Sequence, residues 1–184
     1  MDIHLIDALK SGLSDEVWYL YTEAFPESER KSPKLIEAKS REGGINILAI
    51  VDESGKFLGE MITVKRGRLV LLDYFAICPD IRGGGIGSKA LVKLREYYPD
   101  HILLLEIESV NEPSDNIEQR QRRKRFYLSN GFSPLDWEIL LFGIRMEVLT
   151  YGEHIDFDSY HDIYASTFDE TISDNIKLYD RIQN

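Results

Sequence analysis

The sequence predicts one α/β (α+β) domain spanning residues 1–184, with a mixed, mostly antiparallel central sheet flanked by helices. Three consecutive segments rich in β-branched and aromatic residues, separated by short turns, predict an antiparallel meander. The segments that follow alternate as strand, helix and strand, which predicts a βαβ crossover whose two strands lie parallel. A chain of 184 residues is long enough to bury the core of one such domain.

Two helices are predicted before the meander. Apolar residues recur at the three-and-four spacing of an amphipathic helix from Val17 to Phe25, with Ser14 as the expected cap and Pro26 as the stop. Ser32-Pro33 places a capping residue before a proline, which predicts the start of a second helix that runs to about Gly43-Gly44. A short strand is expected ahead of both helices.

The meander and the crossover follow directly. Ile45–Val51, Phe57–Val64 and Leu69–Ile77 are the three strand-like segments. The apolar period then changes to that of a helix over Ile86–Tyr97, and Ile102–Ile107 is again strand-like. The third and fourth strands are therefore the pair that we expect to lie parallel.

The last part of the chain is predicted to close the domain with strands and helices. A turn-prone stretch, Asn111–Asn116, leads to a basic helix that ends near Asn130-Gly131, and Glu138–Leu149 is strand-like. The apolar spacing in Tyr160–Phe168 and again in Ile176–Ile182 predicts one or two closing helices.

The composition excludes several classes of function. With 22 Lys+Arg against 32 Asp+Glu the net charge is −10, which disfavours binding to nucleic acid or to an anionic membrane and favours a cationic small molecule. Cys78 is the single cysteine, so an intrachain disulfide is excluded, and the four histidines show no metal-binding spacing, so no metal is expected. Neither a signal peptide nor an apolar run near ~20 residues is present, so a cytoplasmic protein is expected.

The most informative segment joins the third strand to the crossover helix. Its glycines allow a tight turn and a close approach of the backbone to a ligand, and the helix N-terminus beyond them offers unpaired N–H groups to an anion. We therefore expect a pyrophosphate to be bound by the backbone of this loop. The residues expected to bind it are Arg82, Gly83, Gly84, Gly85, Ile86, Gly87 and Ser88.

The spacing separates three phosphate-binding signatures. A dinucleotide fingerprint needs glycine six positions into the motif, where this chain has Ser88, and a Walker loop needs Lys before Ser, the reverse of Ser88-Lys89. Arg82-x-x-Gly85-x-Gly87 instead resembles the Arg/Gln-x-x-Gly-x-Gly/Ala signature of the GNAT acetyltransferases. The alternative is a glycine-rich turn with no ligand.

A second segment resembles the same family. Tyr127-Leu128-Ser129-Asn130-Gly131-Phe132 is similar to its Tyr-x-x-x-Gly-Phe element, and it follows the next strand as it does in the family. There the tyrosine protonates the departing coenzyme A thiolate, so the resemblance implies that Tyr127 is the general acid. The alternative for Tyr127 is a core tyrosine beside Phe126.

The resemblance covers the chain from about Ile3 to Leu149. Within the family, the chain looks like a bacterial member of the type that acts on small molecules. The resemblance implies a cofactor half over about residues 69–132, followed by C-terminal strands and helices over residues 133–184. It also implies acetyl-coenzyme A as cosubstrate and direct transfer of its acetyl group to an amine on a small molecule or peptide. The backbone of Phe75, Ala76 and Ile77 would hold the pantetheine arm. One position departs from the family: Arg120 stands where many members have an asparagine.

Several points stay open from the sequence. A noncatalytic coenzyme A-binding or regulatory module on the same fold is the competing function, and a homodimer is compatible with either. The proton acceptor for the amine is Asp73, Glu106, a water chain or none at all, and a salt bridge is the alternative for each carboxylate, Glu108 included. The basic run Arg120–Arg125 is interpreted as a solvated helix face rather than a phosphate site. Cys78 is interpreted as a packing residue.

Overall fold

The computed structural model describes residues 2–179, and the chain divides into two compact units. The first unit contains residues up to 65 together with 72–100, and the second contains residues 66–71 together with those from 101 onward. Strand β4 contributes residues to both units.

The first unit contains helices on a sheet with the strand order β1-β2-β3-β4. Strands β1 and β2 pair antiparallel, as do β2 and β3. Short 3-10 turns at Glu27–Glu29 and Pro79–Ile81 complete it. The elements in chain order are β1 (Ile3–Asp7), α1 (Ala8–Ser11), α2 (Ser14–Ala24), α3 (Pro33–Arg41), β2 (Ile45–Asp52), β3 (Phe57–Arg66), β4 (Leu69–Ile77) and α4 (Ile86–Tyr97).

Hydrogen bonds to Tyr98 show that Asn46 and Thr63 lie on one face of this sheet. The Tyr98 hydroxyl, just past α4, bonds to Asn46 Nδ2 at 2.7 Å and to Thr63 Oγ1 at 2.6 Å, and these two residues are register partners on β2 and β3. Side chains alternate along a strand, so Glu60, three residues before Thr63, lies on the opposite face with its register partner Ala49.

The helices of the first unit bury apolar stripes, as their sequence periods predict. Helix α2 buries Val17, Leu20 and Tyr21, and α3 buries Ile36. Burying one such side chain contributes roughly 1.5–3 kcal/mol before the loss of conformational entropy is counted. Packing of these stripes fixes the helices that precede the meander.

A glycine allows β3 and β4 to approach closely. A Cβ atom on Gly59 would lie 2.4 Å from the carbonyl oxygen of Ala76, a distance that real Cβ atoms do not show. Gly59 therefore keeps the end of β4, which leads into the glycine loop, against its neighbouring strand.

The second unit contains the parallel pair. The first residues of β4 pair with β5 in parallel, with Leu69 opposite Ile102 and Leu71 opposite Leu104, and the strand order in this unit is β4-β5-β7-β6-β8. The pairs β5–β7, β6–β7 and β6–β8 are antiparallel. The elements are β5 (Ile102–Glu108), α5 (Ile117–Ser129), β6 (Ser133–Leu141), β7 (Ile144–Tyr151), α6 (Phe157–Thr167), α7 (Glu170–Ser173) and β8 (Ile176–Tyr179).

The predicted fold class is confirmed: the sheet is mixed and mostly antiparallel, has one parallel pair and is flanked by helices. Three details of the prediction were wrong. Glu138–Leu149 is a hairpin rather than one strand, because Phe142-Gly143 adopts left-handed backbone and reverses the chain. Ile176–Tyr179 is a strand paired with β6 rather than a helix, and Ile182 lies outside the described residues. Ser14 is the first helical residue, and Leu13 occupies the cap position.

No helix among residues 2–179 is long and apolar enough to cross a membrane.

Candidate active site

The glycine loop of the first unit presents its backbone to solvent. Gly83 and Gly85 adopt left-handed backbone, with φ of 86° and 75°, and residues 82–85 are exposed. Gly85 occupies the N-cap position of α4, and no capping side chain accepts a hydrogen bond from the N–H groups of the first turn. The first turn of an α-helix has N–H groups without intrahelical partners, so the start of α4 at Ile86 offers donors to an anion.

The charges around the loop agree with anion binding. The first turn of α4 contains no acidic residue. Arg82 is exposed, and its Nε donates to the carbonyl oxygen of Ile77 at 3.0 Å, which folds the side chain back toward the end of β4. A carbonyl oxygen has two lone pairs, so Ile77 retains acceptor capacity for a further donor.

A buried ion pair joins Asp73 on β4 to Lys31, which precedes α3. Both oxygens of Asp73 accept from Lys31 Nζ, at 2.9 and 2.8 Å, and the side chains are 5% and 14% exposed respectively. Lys31 Nζ also lies 5.1 Å from the centre of the Tyr74 ring. The salt-bridge alternative therefore describes the contacts of Asp73.

The backbone of Lys31 is also held, although it lies between a 3-10 turn and α3. Its N–H donates to the Tyr74 hydroxyl at 3.1 Å, which itself donates to the Glu29 carbonyl oxygen at 2.9 Å. The Tyr21 hydroxyl donates to the Lys31 carbonyl oxygen at 2.9 Å. These bonds hold the backbone of Lys31, whose ammonium group pairs with Asp73.

Glu60 on β3 is a carboxyl group in an unusual environment. It has no exposed surface, and neither carboxyl oxygen has a hydrogen-bond partner among residues 2–179. Burial raises the pKa of Glu60 well above its usual value, and the negative charge of Asp73 raises it further. The folded protein therefore favours the neutral, protonated form of this side chain.

Tyr127 lies in the last helical turn of α5, in the second unit, and is half-buried. Its ring contacts those of Phe126 and Phe132, with centroids 5.1 and 5.9 Å away. Burial raises the pKa of Tyr127 to about 12, and the positive charge of Arg123 acts in the opposite direction. The hydroxyl is therefore protonated at neutral pH, as a general acid must be.

The Tyr-x-x-x-Gly-Phe element forms the end of this helix. Gly131 adopts left-handed backbone, with φ of 87°, and the Phe132 N–H donates to the Tyr127 carbonyl oxygen at 3.1 Å. This arrangement closes a helix on a glycine and places the next apolar residue back against the last turn. The motif thus fixes the position of Tyr127 locally.

Acidic strands pair with the basic face of α5. Arg120 pairs with Glu108 at 2.7 Å and also donates to the Ser109 carbonyl oxygen, and Lys124 pairs with Glu147. Arg123 contacts Glu108 as well, at 3.3 Å. Three of the five basic residues in this run therefore neutralise acids, and Arg120 holds the end of β5.

Glu106 on β5 accepts hydrogen bonds from two tyrosines of α6. The Tyr164 hydroxyl donates to Oε1 at 2.7 Å, and the Tyr160 hydroxyl donates to the same oxygen. Both tyrosines are buried. These contacts attach α6 to β5, and the catalytic role predicted for Glu106 stays a prediction.

The thiol of Cys78 and the side chains that could hold a metal ion are the remaining candidates for chemistry in the described residues. Burial, followed by the charge of Asp80, raises the pKa of the Cys78 thiol, so the reactive thiolate is disfavoured. Within residues 2–179, no group of three His, Cys, Asp or Glu side chains is arranged to hold a metal ion.

Comparison with protein-family models decides the family. The model of the acetyltransferase (GNAT) family matches residues 14–132, which is more than half of the chain. The chain belongs to the GNAT acetyltransferase family. Comparison with curated proteins finds no match.

Solved structures of GNAT proteins are similar in fold. A GNAT-family protein from Bacteroides thetaiotaomicron has a TM-score of 0.73 and 20% identity, covering 89% of this chain and 93% of that one. An aminoglycoside 6′-N-acetyltransferase complexed with coenzyme A has a TM-score of 0.64 and 16% identity, over 85% and 100%. The ribosomal-protein-S18-alanine N-acetyltransferase from Escherichia coli has a TM-score of 0.60 and 18% identity, over 84% and 99%.

Sequence reasoning missed the partners of the carboxylates in this GNAT protein. Lys31 lies 42 positions from Asp73, and the tyrosines on α6 lie more than 50 positions from Glu106, so no local pattern connects them. The sequence does contain a sign that Glu60 is unusual. It is a carboxylate inside an otherwise apolar strand, and such a group is costly to bury without a partner.

We predict that Glu60→Gln stabilises the GNAT protein at alkaline pH. The pKa of Glu60 is higher in the folded than in the unfolded protein, so unfolding releases a proton once the pH exceeds the unfolded value. Wild-type stability therefore falls as pH rises from that value toward the folded pKa, and glutamine lacks this loss. Urea unfolding between about pH 5 and pH 9 should show a difference that grows with pH, to roughly 1–3 kcal/mol.

Glu53→Gln is the matched control, because Glu53 is exposed on the turn between β2 and β3. It should leave the pH dependence of the unfolding free energy unchanged. A Glu60→Gln variant whose stability follows the wild-type pH curve throughout would show that Glu60 is ionised in the folded protein.

Proposed function

We propose that this GNAT protein transfers the acetyl group of acetyl-coenzyme A directly to an amine, without an acyl-enzyme intermediate. The observation that carries the proposal is the exposed loop of residues 82–85, where glycines in left-handed conformation lead into the first turn of α4, whose N–H groups no side chain caps, within the region matched by the family model. The raised pKa of the Cys78 thiol disfavours a covalent route through that residue.

In this proposal, the backbone of Gly83 to Ser88 binds the pyrophosphate. The helix dipole and the N–H groups at the start of α4 supply positive potential, and the absence of acid in the first turn leaves it uncancelled. Phe75, Ala76 and Ile77 offer the backbone of β4 to the pantetheine amides as an added strand.

Tyr127 acts as the general acid in this proposal. The amine nitrogen attacks the thioester carbon, the C–S bond breaks as the amide forms, and the departing sulfur takes the proton of the Tyr127 hydroxyl. A pKa of about 12 keeps that proton on the hydroxyl at neutral pH, so Tyr127 is in the donor form when the sulfur departs. Solvent then returns a proton to the tyrosine.

The amine must lose one proton, and two carboxylates stay candidates to accept it. Asp73 is paired with Lys31, and Glu106 accepts from Tyr160 and Tyr164, so each would have to act while holding these donors. A water molecule, or an amine that arrives neutral, serves equally within this mechanism.

We predict that Gly84→Glu abolishes the rise in melting temperature caused by acetyl-coenzyme A. A ligand of the folded state must raise the melting temperature, and a carboxylate in the loop would repel the pyrophosphate. Gly84 is the suitable position, because its backbone is not left-handed and a Cβ there would lie 3.6 Å from the nearest atom, an ordinary contact.

Gly84→Gln has nearly the same size without the charge and is the matched control. It should retain a larger shift than Gly84→Glu, and both should melt near the wild-type temperature without ligand. An undiminished acetyl-coenzyme A shift in the glutamate variant would place the pyrophosphate elsewhere.

We predict that Tyr127→Phe separates binding from chemistry. The ring and its contacts with Phe126 and Phe132 remain, so acetyl-coenzyme A affinity should stay within a few-fold of wild type. Loss of the hydroxyl should lower the single-turnover rate by ~10²–10⁴, the contribution of a positioned general acid. Rapid-quench measurements avoid a limit set by product release.

A structural role for Tyr127 predicts a different pattern, in which any loss of rate accompanies a loss of stability. Wild-type single-turnover chemistry in a stable Tyr127→Phe variant would exclude Tyr127 as the acid.

A further inference from the structure

The last residues of β4 have one edge that no strand covers. The parallel register with β5 ends at Leu71, so within residues 2–179 the rest of β4 has a ladder partner on one side only, which is β3. A strand edge of this kind offers unpaired N–H and C=O groups to an added strand. It is the edge at which the pantetheine arm is proposed to bind.

Two contacts show which way the backbone groups at the end of β4 point. The Cys78 N–H donates to the Leu58 carbonyl oxygen of β3 at 2.9 Å. A Cβ on Gly59 of β3 would lie 2.4 Å from the Ala76 carbonyl oxygen, so this carbonyl also faces β3. Backbone groups of successive residues point to opposite sides of a strand, so the N–H and C=O of Ile77 point away from β3. The Ile77 carbonyl therefore belongs to the open edge.

The side chain of Arg82 occupies the acceptor position on this edge. Its Nε donates to the Ile77 carbonyl oxygen at 3.0 Å. An added strand would place its amide nitrogen about 2.9 Å from the same oxygen, so the guanidinium and a pantetheine amide need the same space. The second lone pair of the oxygen does not remove this conflict, because the whole added strand, and not only its N–H group, must fit beside β4.

Arg82 is held at the open edge by a single contact. The side chain is exposed, and among residues 2–179 its guanidinium makes no other hydrogen bond and no ion pair. One exposed hydrogen bond restrains an arginine only weakly, since ordering its side chain costs conformational entropy. A phosphate group is a stronger partner, because it accepts two charge-assisted hydrogen bonds from the planar guanidinium.

We infer that Arg82 is a specificity-determining residue that favours ligands carrying phosphates over ligands that consist of the pantetheine arm alone. This inference rests on the proposed function for the identity of the ligand as acetyl-coenzyme A. On binding, the guanidinium exchanges the Ile77 carbonyl for the pyrophosphate at the adjacent glycine loop, and the vacated edge of β4 accepts the pantetheine amide. A pantetheine thioester without phosphates must displace Arg82 and offers it no anion in return.

The test compares the binding of coenzyme A with that of pantetheine, which has the same arm and thiol but no phosphate. Dissociation constants are measured in one buffer, by calorimetry for coenzyme A and by ligand-observed NMR for pantetheine. Arg82→Met keeps a long, unbranched side chain and removes its donors and its charge. We expect this variant to bind pantetheine about three-fold more tightly than wild type and coenzyme A about ten-fold more weakly.

The opposite signs of the two effects distinguish this role from simple phosphate binding. An arginine that only binds phosphate would leave the affinity for pantetheine unchanged, so pantetheine binding in Arg82→Met that is no tighter than in wild type overturns the inference. Arg68→Met is the control and should match wild type with both ligands, because Arg68 is exposed in the turn at the other end of β4. Failure of the proposed function gives a separate result, in which the wild-type protein does not bind coenzyme A.

Discussion

The unpaired N–H groups at the start of α4 are the constraint on which the proposed chemistry depends. A helix cannot satisfy these donors itself, and here neither a capping side chain nor an acid in the first turn does so. The left-handed backbone of Gly83 and Gly85 brings the chain from β4 into the helix through a loop, residues 82–85, that is exposed. Gly59 allows the close approach of β3 to the end of β4, just before this loop.

Pairing of buried charge explains most of the polar structure within each unit. In the second unit, the acids of β5 and β7 hold the basic face of α5, and Glu106 holds α6 through two tyrosine hydroxyls. These contacts position α5, which carries Tyr127. In the first unit Lys31 and Asp73 follow the same rule, whereas Glu60 does not. The exception is physically informative because an unpartnered buried carboxyl group is costly.

The sequence predicted what is encoded locally. Hydrophobic period, proline and glycine predicted most helices, the meander and the parallel crossover, and the two motifs indicated the GNAT family. It failed where geometry over a few residues or distant contacts decide. The left-handed Phe142-Gly143 turn split one predicted strand into a hairpin, and pairing with β6 made Ile176–Tyr179 a strand despite its helix-like spacing. The partners of Asp73 and Glu106 lie too far along the chain for any spacing rule.

The central claim is catalysis by direct acetyl transfer, and the most direct test is a panel of primary amines incubated with acetyl-coenzyme A while free thiol is detected. The account predicts thiol release that depends on the amine, with an equal yield of acetylated amine identified by mass spectrometry. Binding of acetyl-coenzyme A with no thiol release for any amine would contradict it and would indicate a noncatalytic coenzyme A-binding module.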